Sequence, residues 1–147
     1  MNQEKKRCVV SLSKRSGFKD MPTTVKWLID KGEEPYYFHF KPKEGLAKNS
    51  IVLFSFEAQI FGRARVKRGV EELSLKEQQK HDNKEYNFRY TMVLYQVDKK
   101  KDIVQKPYPR KKDLIQIIYP KKQFGNLFTY LTPKMYQQIL GKARLME

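Results

Sequence analysis

Two consecutive strand patterns, separated by a short turn, run from Asn49 to Arg68. The first, Ser50 to Phe56, is apolar at both odd and even positions, which is typical of a strand whose two faces are both covered. Only Glu57 and Ala58 lie between it and the second strand. The sequence therefore predicts a hairpin whose first strand lies inside a closed or covered sheet.

The second strand of this hairpin sorts its side chains by chemistry, because successive side chains of a strand point to opposite faces of the sheet. One face is predicted to carry small and apolar residues, namely Ala58, Ile60, Gly62, Ala64 and Val66. The other is predicted to carry an aromatic residue and three cations in the row Gln59, Phe61, Arg63, Arg65 and Lys67.

The row of cations on the second strand indicates a polyanionic partner, because the whole chain is strongly basic. The 147 residues include 31 Lys and Arg against 16 Asp and Glu, a formal net charge of +15. Such an excess favours a polyanionic partner, and DNA or RNA is the commonest one in a cell. The alternative is a generally basic, solvated surface. The predicted nucleic-acid contacts are Arg63, Arg65, Lys67, Arg68, Lys121 and Lys122.

The length of the chain predicts one domain spanning residues 1–147. Residues 1–20 are rich in Lys and Arg around the apolar run Cys8 to Leu12, so they form either an edge strand or a basic arm. Cys8 is the only cysteine, which excludes an internal disulfide and a site built from several thiolates. Because no membrane span or signal peptide is evident, we expect a cytoplasmic protein with no membrane partner.

Helices and further strands are predicted on both sides of the hairpin. A helix from Thr23 to Lys31 has a threonine available as N-cap and Gly32 as its stop. A final helix has Thr132 as N-cap, Pro133 in its first turn, a contact between Leu131 and Tyr136, and Gly141 at its end. The other predictions are a strand at Tyr36 to Phe40, a short helix capped by Ser74, a long strand from Tyr86 to Val97, and a strand or helix at Leu114 to Tyr119.

The segment IVLFSFEAQIFGRARV resembles the core of the PUA-like superfamily, which includes the YTH, EVE and ASCH domains. In YTH domains a similar stretch has a hydrophobic strand ending in Phe-Ser, a short turn, then Phe, Gly and Ala-Arg. The residues in comparable places here are Phe54, Ser55, Phe61, Gly62, Ala64 and Arg65.

This resemblance implies an α+β fold, either a small PUA-like β-barrel or a strongly curved sheet, with flanking helices. It also implies a module that binds RNA or DNA, in several families by taking one modified or flipped base into an aromatic pocket. The rings that can build such a pocket are Trp27, Tyr36, Tyr37 and Phe56. YTH pockets use more than one tryptophan, whereas Trp27 is the only one in this chain.

Catalytic motifs are missing from the sequence. His39 and His81 lie apart, and the adjacent pairs Glu33, Glu34 and Glu71, Glu72 point apart in any regular structure. No phosphate-binding loop or metal-ligand spacing is present, so we expect no metal and no cofactor. The prediction is a module that is not catalytic by itself, with a catalytic partner protein left open. The alternatives are a small nuclease or nucleic-acid-modifying enzyme with a dispersed acidic site, and an assembly protein that binds an acidic partner.

Overall fold

The computed structural model of the chain describes residues 6–12, 14, 17–38, 46–56, 59–81, 88–97, 103 and 128–143. Within these ranges lie six strands and three helices. In chain order they are β1 (Arg7–Leu12), α1 (Met21–Lys31), β2 (Tyr36–Phe38), β3 (Ile51–Phe56), β4 (Gln59–Glu72), α2 (Leu75–His81), β5 (Tyr90–Leu94), β6 (Phe128–Tyr130) and α3 (Pro133–Ala143).

The strands form one mixed sheet in the order β2-β5-β4-β3-β1-β6. β1 runs parallel to β3, and the other neighbouring strands pair antiparallel. Across the described residues the sheet has two ends, β2 and β6, and does not close into a barrel. The predicted α+β fold with flanking helices is confirmed, in the open form.

β3 is covered on both faces, as its doubly apolar pattern predicts. Val52 and Phe54 belong to the main core, which α1 helps to form, whereas Leu53 belongs to a second core under α3. The second core also contains Val9, Ile60, Leu131, Tyr136, Ile139 and Leu140. The hairpin between β3 and β4 is confirmed, with Leu53 opposite Arg63 and Ile51 opposite Arg65.

A bulge in β4 changes the predicted alternation. Phe54 pairs with Gly62 and Ser55 pairs with Ile60, so Phe61 is the extra residue between them. Ile60 therefore joins the second core, and Phe61 joins the main core with its ring centroid 6.2 Å from that of Phe54. The prediction that Phe61 shares the face of the arginines is wrong, because the bulge turns it to the other side.

The basic N-terminal segment is neither a free arm nor an edge strand where the structure describes it. β1 lies between β3 and β6, and Cys8, Val9 and Val10 are buried. A parallel partner on one side and an antiparallel partner on the other satisfy the backbone of β1. The arginine at its start, Arg7, therefore has a fixed position in the sheet.

Two helix boundaries differ from the sequence predictions. α1 begins at Met21, and its N-cap is Asp20, whose carboxylate accepts a hydrogen bond from the Thr23 amide at 2.8 Å. Gly32 ends α1 with a positive φ of 58°, as predicted. α3 has the predicted cap, since the Thr132 hydroxyl accepts from the Met135 amide at 3.2 Å, but it continues past Gly141 to Ala143.

The remaining predicted elements are partly observed. α2 follows Ser74, whose hydroxyl accepts a hydrogen bond from the Glu77 amide at 3.2 Å. β5 covers only Tyr90–Leu94 of the predicted long strand. The predicted strand or helix at residues 114–119 lies outside the described residues. None of the helices found in the described ranges is long and apolar enough to cross a membrane.

Candidate nucleic-acid interface

A cleft of about 340 Å³ opens on the face of the sheet that α3 covers in part. β3 and β4 form its floor, α3 forms one wall, and the chain just after β5 forms another. The residues that line it are Ile51, Arg63, Ala64, Arg65, Tyr95, Gln96 and Tyr136.

Strand register places the two arginines in this cleft. Arg63 lies opposite Leu53 and Arg65 lies opposite Ile51, so all four side chains lie on one face. α3 packs on the apolar part of that face, where Leu53 and Tyr136 belong to the same core. The arginines extend beyond this apolar contact and therefore border the open cleft.

Tyr136 orders the arginine side chains next to it. Its hydroxyl accepts a hydrogen bond from Arg63 Nη1 at 3.2 Å, and its ring centroid lies 5.4 Å from the guanidinium carbon of Arg7. Tyr136 is only 2% exposed, so packing fixes its ring. Guanidinium groups from β1 and β4 are thus held against one buried ring, which reduces the entropy cost of ordering them on binding an anion.

Arg65 stacks on Tyr95 at the other end of the cleft. Its guanidinium carbon lies 5.1 Å from the ring centroid of Tyr95. The Tyr95 amide also donates a hydrogen bond to the Arg65 carbonyl at 2.9 Å, which fixes the backbone beside this pair. The next residue, Gln96, is exposed and brings a side-chain amide to the cleft.

The chemistry of the lining favours an anion. It comprises two guanidinium groups, two phenol rings, one side-chain amide and apolar surface, and none of the described residues that line it is acidic. Arginine binds phosphate or a base edge through a planar set of donors, and it stacks on flat rings. The cleft can therefore hold a phosphate and a ring at the same time.

Lys67, the third cation of the predicted row, does not line this cleft. A second irregularity in β4 lies between Val66 and Arg68, and Lys67 is the residue it displaces. Lys67 Nζ lies 3.3 Å from the carboxylate of Glu33, just beyond α1, and both side chains are nearly half exposed. Arg68 is exposed opposite Val93, and Lys121 and Lys122 lie outside the described residues.

Trp27 and Tyr36 lie in contact, and a lysine lies over both rings. Their ring planes meet at 81° with centroids 5.7 Å apart, and Phe18 packs against Trp27 at 5.0 Å. Lys31 Nζ lies 5.2 Å from the Trp27 ring centroid and 4.8 Å from that of Tyr36. Any group that stacks here on the faces that Lys31 covers must first displace it.

Phe18, Trp27, Lys31 and Tyr36 form an aromatic corner, in which burial is the main cause of the pKa shifts. Burial lowers the pKa of the Lys31 ammonium, with the carboxylate of Glu34 acting in the opposite direction. Burial also raises the pKa of the Tyr36 phenol, whose oxygen has no hydrogen-bond partner among the described residues. These shifts reflect loss of water around each group and do not by themselves indicate a catalytic role.

The other two predicted pocket residues lie elsewhere. Tyr37 contacts Phe88, with ring centroids 6.1 Å apart. Phe56 is 5% exposed and is part of the main core, so its ring is not available to a ligand in this structure. Of the four rings predicted to form one pocket, Trp27 and Tyr36 are in contact, Tyr37 packs on Phe88, and Phe56 is a core residue, so Phe56 does not belong to an accessible pocket.

Comparison with known proteins bears on the fold. No family model and no curated protein matches the sequence. The crystal structure of ASCH from Zymomonas mobilis matches with a TM-score of 0.61 at 13% identity, over 98% of this chain and 100% of that one. A tyrosine-to-phenylalanine mutant of the same protein matches with a TM-score of 0.58 at 13% identity, over 93% and 98% of the two chains. The chain has the ASCH fold.

This likeness covers nearly the whole chain and confirms the fold that the hairpin segment implies. The residues that the structure describes do not form a metal site. The described residues contain no group of three or more His, Cys, Asp or Glu side chains that could hold a metal ion. The single cysteine, Cys8, is fully buried, and burial raises the pKa of its thiol to about 12.

The sequence did not place three polar lining residues, Tyr95, Gln96 and Tyr136, in the site. It also did not predict the contact of Arg7 with Tyr136. Tyr136 was predicted only as a packing residue at the start of α3. Their positions depend on which strands are neighbours and on the register of pairing, and neither leaves a local pattern in the sequence. The predicted residues that the structure does bring together in the cleft are Arg63 and Arg65.

Proposed function

We propose that this protein is a nucleic-acid-binding module that holds DNA or RNA in the cleft lined by Arg63 and Arg65, and that it is not catalytic by itself. The observation that carries the proposal is that β4 places both guanidinium groups in one cleft of about 340 Å³, with no acidic side chain among the described residues that line it. This local charge lies on a chain of net charge +15.

The two arginines have complementary roles in this proposal. Arg63 is half-buried and is held by the Tyr136 hydroxyl, so it offers an oriented donor set to one phosphate. Arg65 is exposed and stacked on Tyr95, so it can bind a neighbouring phosphate or the edge of a base. The other predicted cations, Lys67, Arg68, Lys121 and Lys122, contribute to the positive net charge of the chain, which attracts a polyanion.

The proposal also covers the location of the protein, a catalytic partner and the recognition of a base. The module acts in the cytoplasm, and a separate partner protein supplies any chemistry on the bound nucleic acid. We place recognition of a modified or flipped base beside the Arg65–Tyr95 pair, because Lys31 lies over the rings of Trp27 and Tyr36. The ASCH fold is compatible with a nucleic-acid-binding module. The two arginines and two tyrosines that line the cleft support DNA or RNA as its ligand.

Fluorescence anisotropy with labelled DNA and RNA tests the proposal. Replacing Arg63 and Arg65 together by alanine should weaken binding at least tenfold. The matched control replaces Lys67 and Arg68 together by alanine, which removes the same charge from the same strand outside the cleft lining. We expect the control to lose less than threefold. Equal losses in the two double variants would show that only the net charge matters.

Salt dependence supplies a second test. About five phosphate contacts predict a roughly 500-fold loss of affinity for a fourfold rise in salt concentration. Replacing Arg63 and Arg65 together should reduce the slope of log affinity against log salt by about one to two. An affinity that does not change with salt would overturn the proposal.

The proposal that the module is not catalytic by itself has its own test. Labelled DNA and RNA incubated with the protein and Mg²⁺ or Mn²⁺ should remain intact on a denaturing gel. Cleavage that requires the divalent metal would support the alternative, a nuclease with a dispersed acidic site, for which the positive cleft only guides the substrate.

A further inference from the structure

The shape and lining of the cleft also indicate whether its ligand is single-stranded or duplex. Resting on the nucleic-acid-binding function proposed above, we infer that the cleft takes one unpaired nucleotide, so that the preferred ligand is single-stranded nucleic acid. The inference depends on four features of the described residues: the size of the cleft, the Arg65–Tyr95 pair, the side-chain amide of Gln96 and the oriented guanidinium of Arg63.

The size of the cleft fits one nucleotide. Its volume of about 340 Å³ lies at the lower end of the roughly 300 to 1,000 Å³ typical of pockets for drug-sized molecules. A phosphate, a sugar and one base are of this size class, whereas a stacked base pair with both backbones is much larger. A duplex can therefore only touch the rim of the cleft.

The stacked pair Arg65 and Tyr95 provides a flat surface within this volume. A guanidinium plane and a phenol ring both stack on the face of a nucleobase. In a duplex both faces of each base are covered by neighbouring bases, so this surface is useful only to a base that is not stacked in a helix. The pairing geometry keeps Arg65 next to Tyr95, because the Tyr95 amide donates to the Arg65 carbonyl at 2.9 Å.

Gln96 adds a group that can read the edge of such a base. Its exposed side-chain amide carries both a donor and an acceptor, and it follows Tyr95 directly in the chain. Base pairing would occupy the Watson–Crick edge that an amide in this place would contact. An unpaired base leaves that edge open, as in most sequence-specific recognition of RNA.

Arg63 fixes the phosphate end of the nucleotide. Its guanidinium donates to the Tyr136 hydroxyl at 3.2 Å, and the Tyr136 ring is almost fully buried. Ile51, opposite Arg65 on β3, lines the same cleft and offers an apolar surface for the sugar. The cleft therefore offers a cation for the phosphate, an apolar side chain for the sugar and the Arg65–Tyr95 pair for the base.

The test compares single-stranded and duplex ligands of the same sequence by fluorescence anisotropy, using 12-nucleotide RNA and DNA probes at one salt concentration. We expect the single strand to bind the native protein at least tenfold more tightly than the duplex. Tyr95→Leu keeps apolar bulk but removes the flat ring, so it should weaken single-strand binding about tenfold and leave duplex binding unchanged.

Tyr95→Phe is the control, because it keeps the ring and should retain single-strand binding within twofold. Circular dichroism and urea unfolding of each variant show whether the fold is intact. Equal binding of duplex and single strand, or no effect of Tyr95→Leu on single-strand binding, would overturn this inference and leave the nucleic-acid-binding function standing. A protein that binds neither ligand would overturn both.

Discussion

Arg63 on β4 and Tyr136 on α3, 73 positions apart in the chain, are joined by a hydrogen bond of 3.2 Å from the guanidinium to the phenol oxygen. This bond connects the cleft to the second core, because Tyr136 packs there beside Leu53. The helix that covers part of the sheet therefore also orients a cation at its surface.

A double-mutant cycle on this pair is the first prediction. Tyr136→Phe removes only the hydroxyl and should lower the free energy of unfolding by about 1 kcal/mol. Combined with Arg63→Met, it should give a coupling energy of roughly 0.5 to 1.5 kcal/mol by urea unfolding. The same cycle with Arg65→Met should give a coupling near zero, because Arg65 stacks on Tyr95 instead. Equal couplings in the two cycles would contradict the assigned bond.

The hairpin shows how far local sequence pattern predicts this fold. Alternation of side chains correctly predicts β3, β4 and a strand covered on both faces, because burial of β3 leaves a continuous apolar run. Alternation cannot show that Phe61 and Lys67 are each displaced by an irregularity in β4, since one extra residue turns a side chain to the other face. The predicted row of cations therefore divides, with Lys67 paired to Glu33.

The contacts that order the side chains in and beside the cleft depend on tertiary structure. Arg7 reaches Tyr136 only because β1 pairs parallel with β3, and Tyr95 reaches Arg65 only because β5 pairs with β4. The contact of Lys31 with Trp27, in contrast, does not depend on tertiary structure. These residues are four apart on α1, so helix geometry alone predicts that they are neighbours.

Gly69 is predicted to be essential for the packing of β4. A Cβ atom at this position would overlap the carbonyl oxygen of Leu46, which also accepts a hydrogen bond from the Val70 amide at 3.2 Å. Gly69→Ala should therefore cost about 1 to 3 kcal/mol of unfolding free energy. Gly141→Ala is the matched control, because nothing lies within 4 Å of its Cβ position in α3. There alanine should stabilise the protein by up to about 1 kcal/mol, and a similar loss in both variants would contradict the assigned contact.

The aromatic corner gives a prediction that can be read from one fluorophore. Trp27 is the only tryptophan in the chain, and Lys31 covers part of its ring surface. Nucleic acid bound in the cleft should therefore change the emission of Trp27 only slightly. Lys31→Ala should increase quenching of Trp27 by acrylamide, whereas Lys26→Ala, at an exposed position of the same helix, should not. Strong, saturable quenching of the native protein by nucleic acid would instead place the base against Trp27.

Cys8 gives a prediction about alkaline pH. Burial raises the pKa of its thiol from 9.0 to about 12, so the folded state keeps the proton over a range in which the unfolded chain releases it. The unfolded state then binds fewer protons, and the free energy of unfolding falls as pH rises above about 9. Between pH 8.5 and 10.5 this one group should remove roughly 2 kcal/mol of stability.

Cys8→Val isolates that contribution, because valine has no ionisable group and suits a buried position of β1. Urea unfolding of both proteins across this pH range should show a steeper loss of stability for the native chain. The pKa of Tyr36 is raised in the same way, whereas that of Lys31 is lowered, but both effects are present in the two proteins and cancel in the difference. Parallel stability profiles would mean that the thiol reaches solvent, since a buried thiol can lose its proton only when the strand opens.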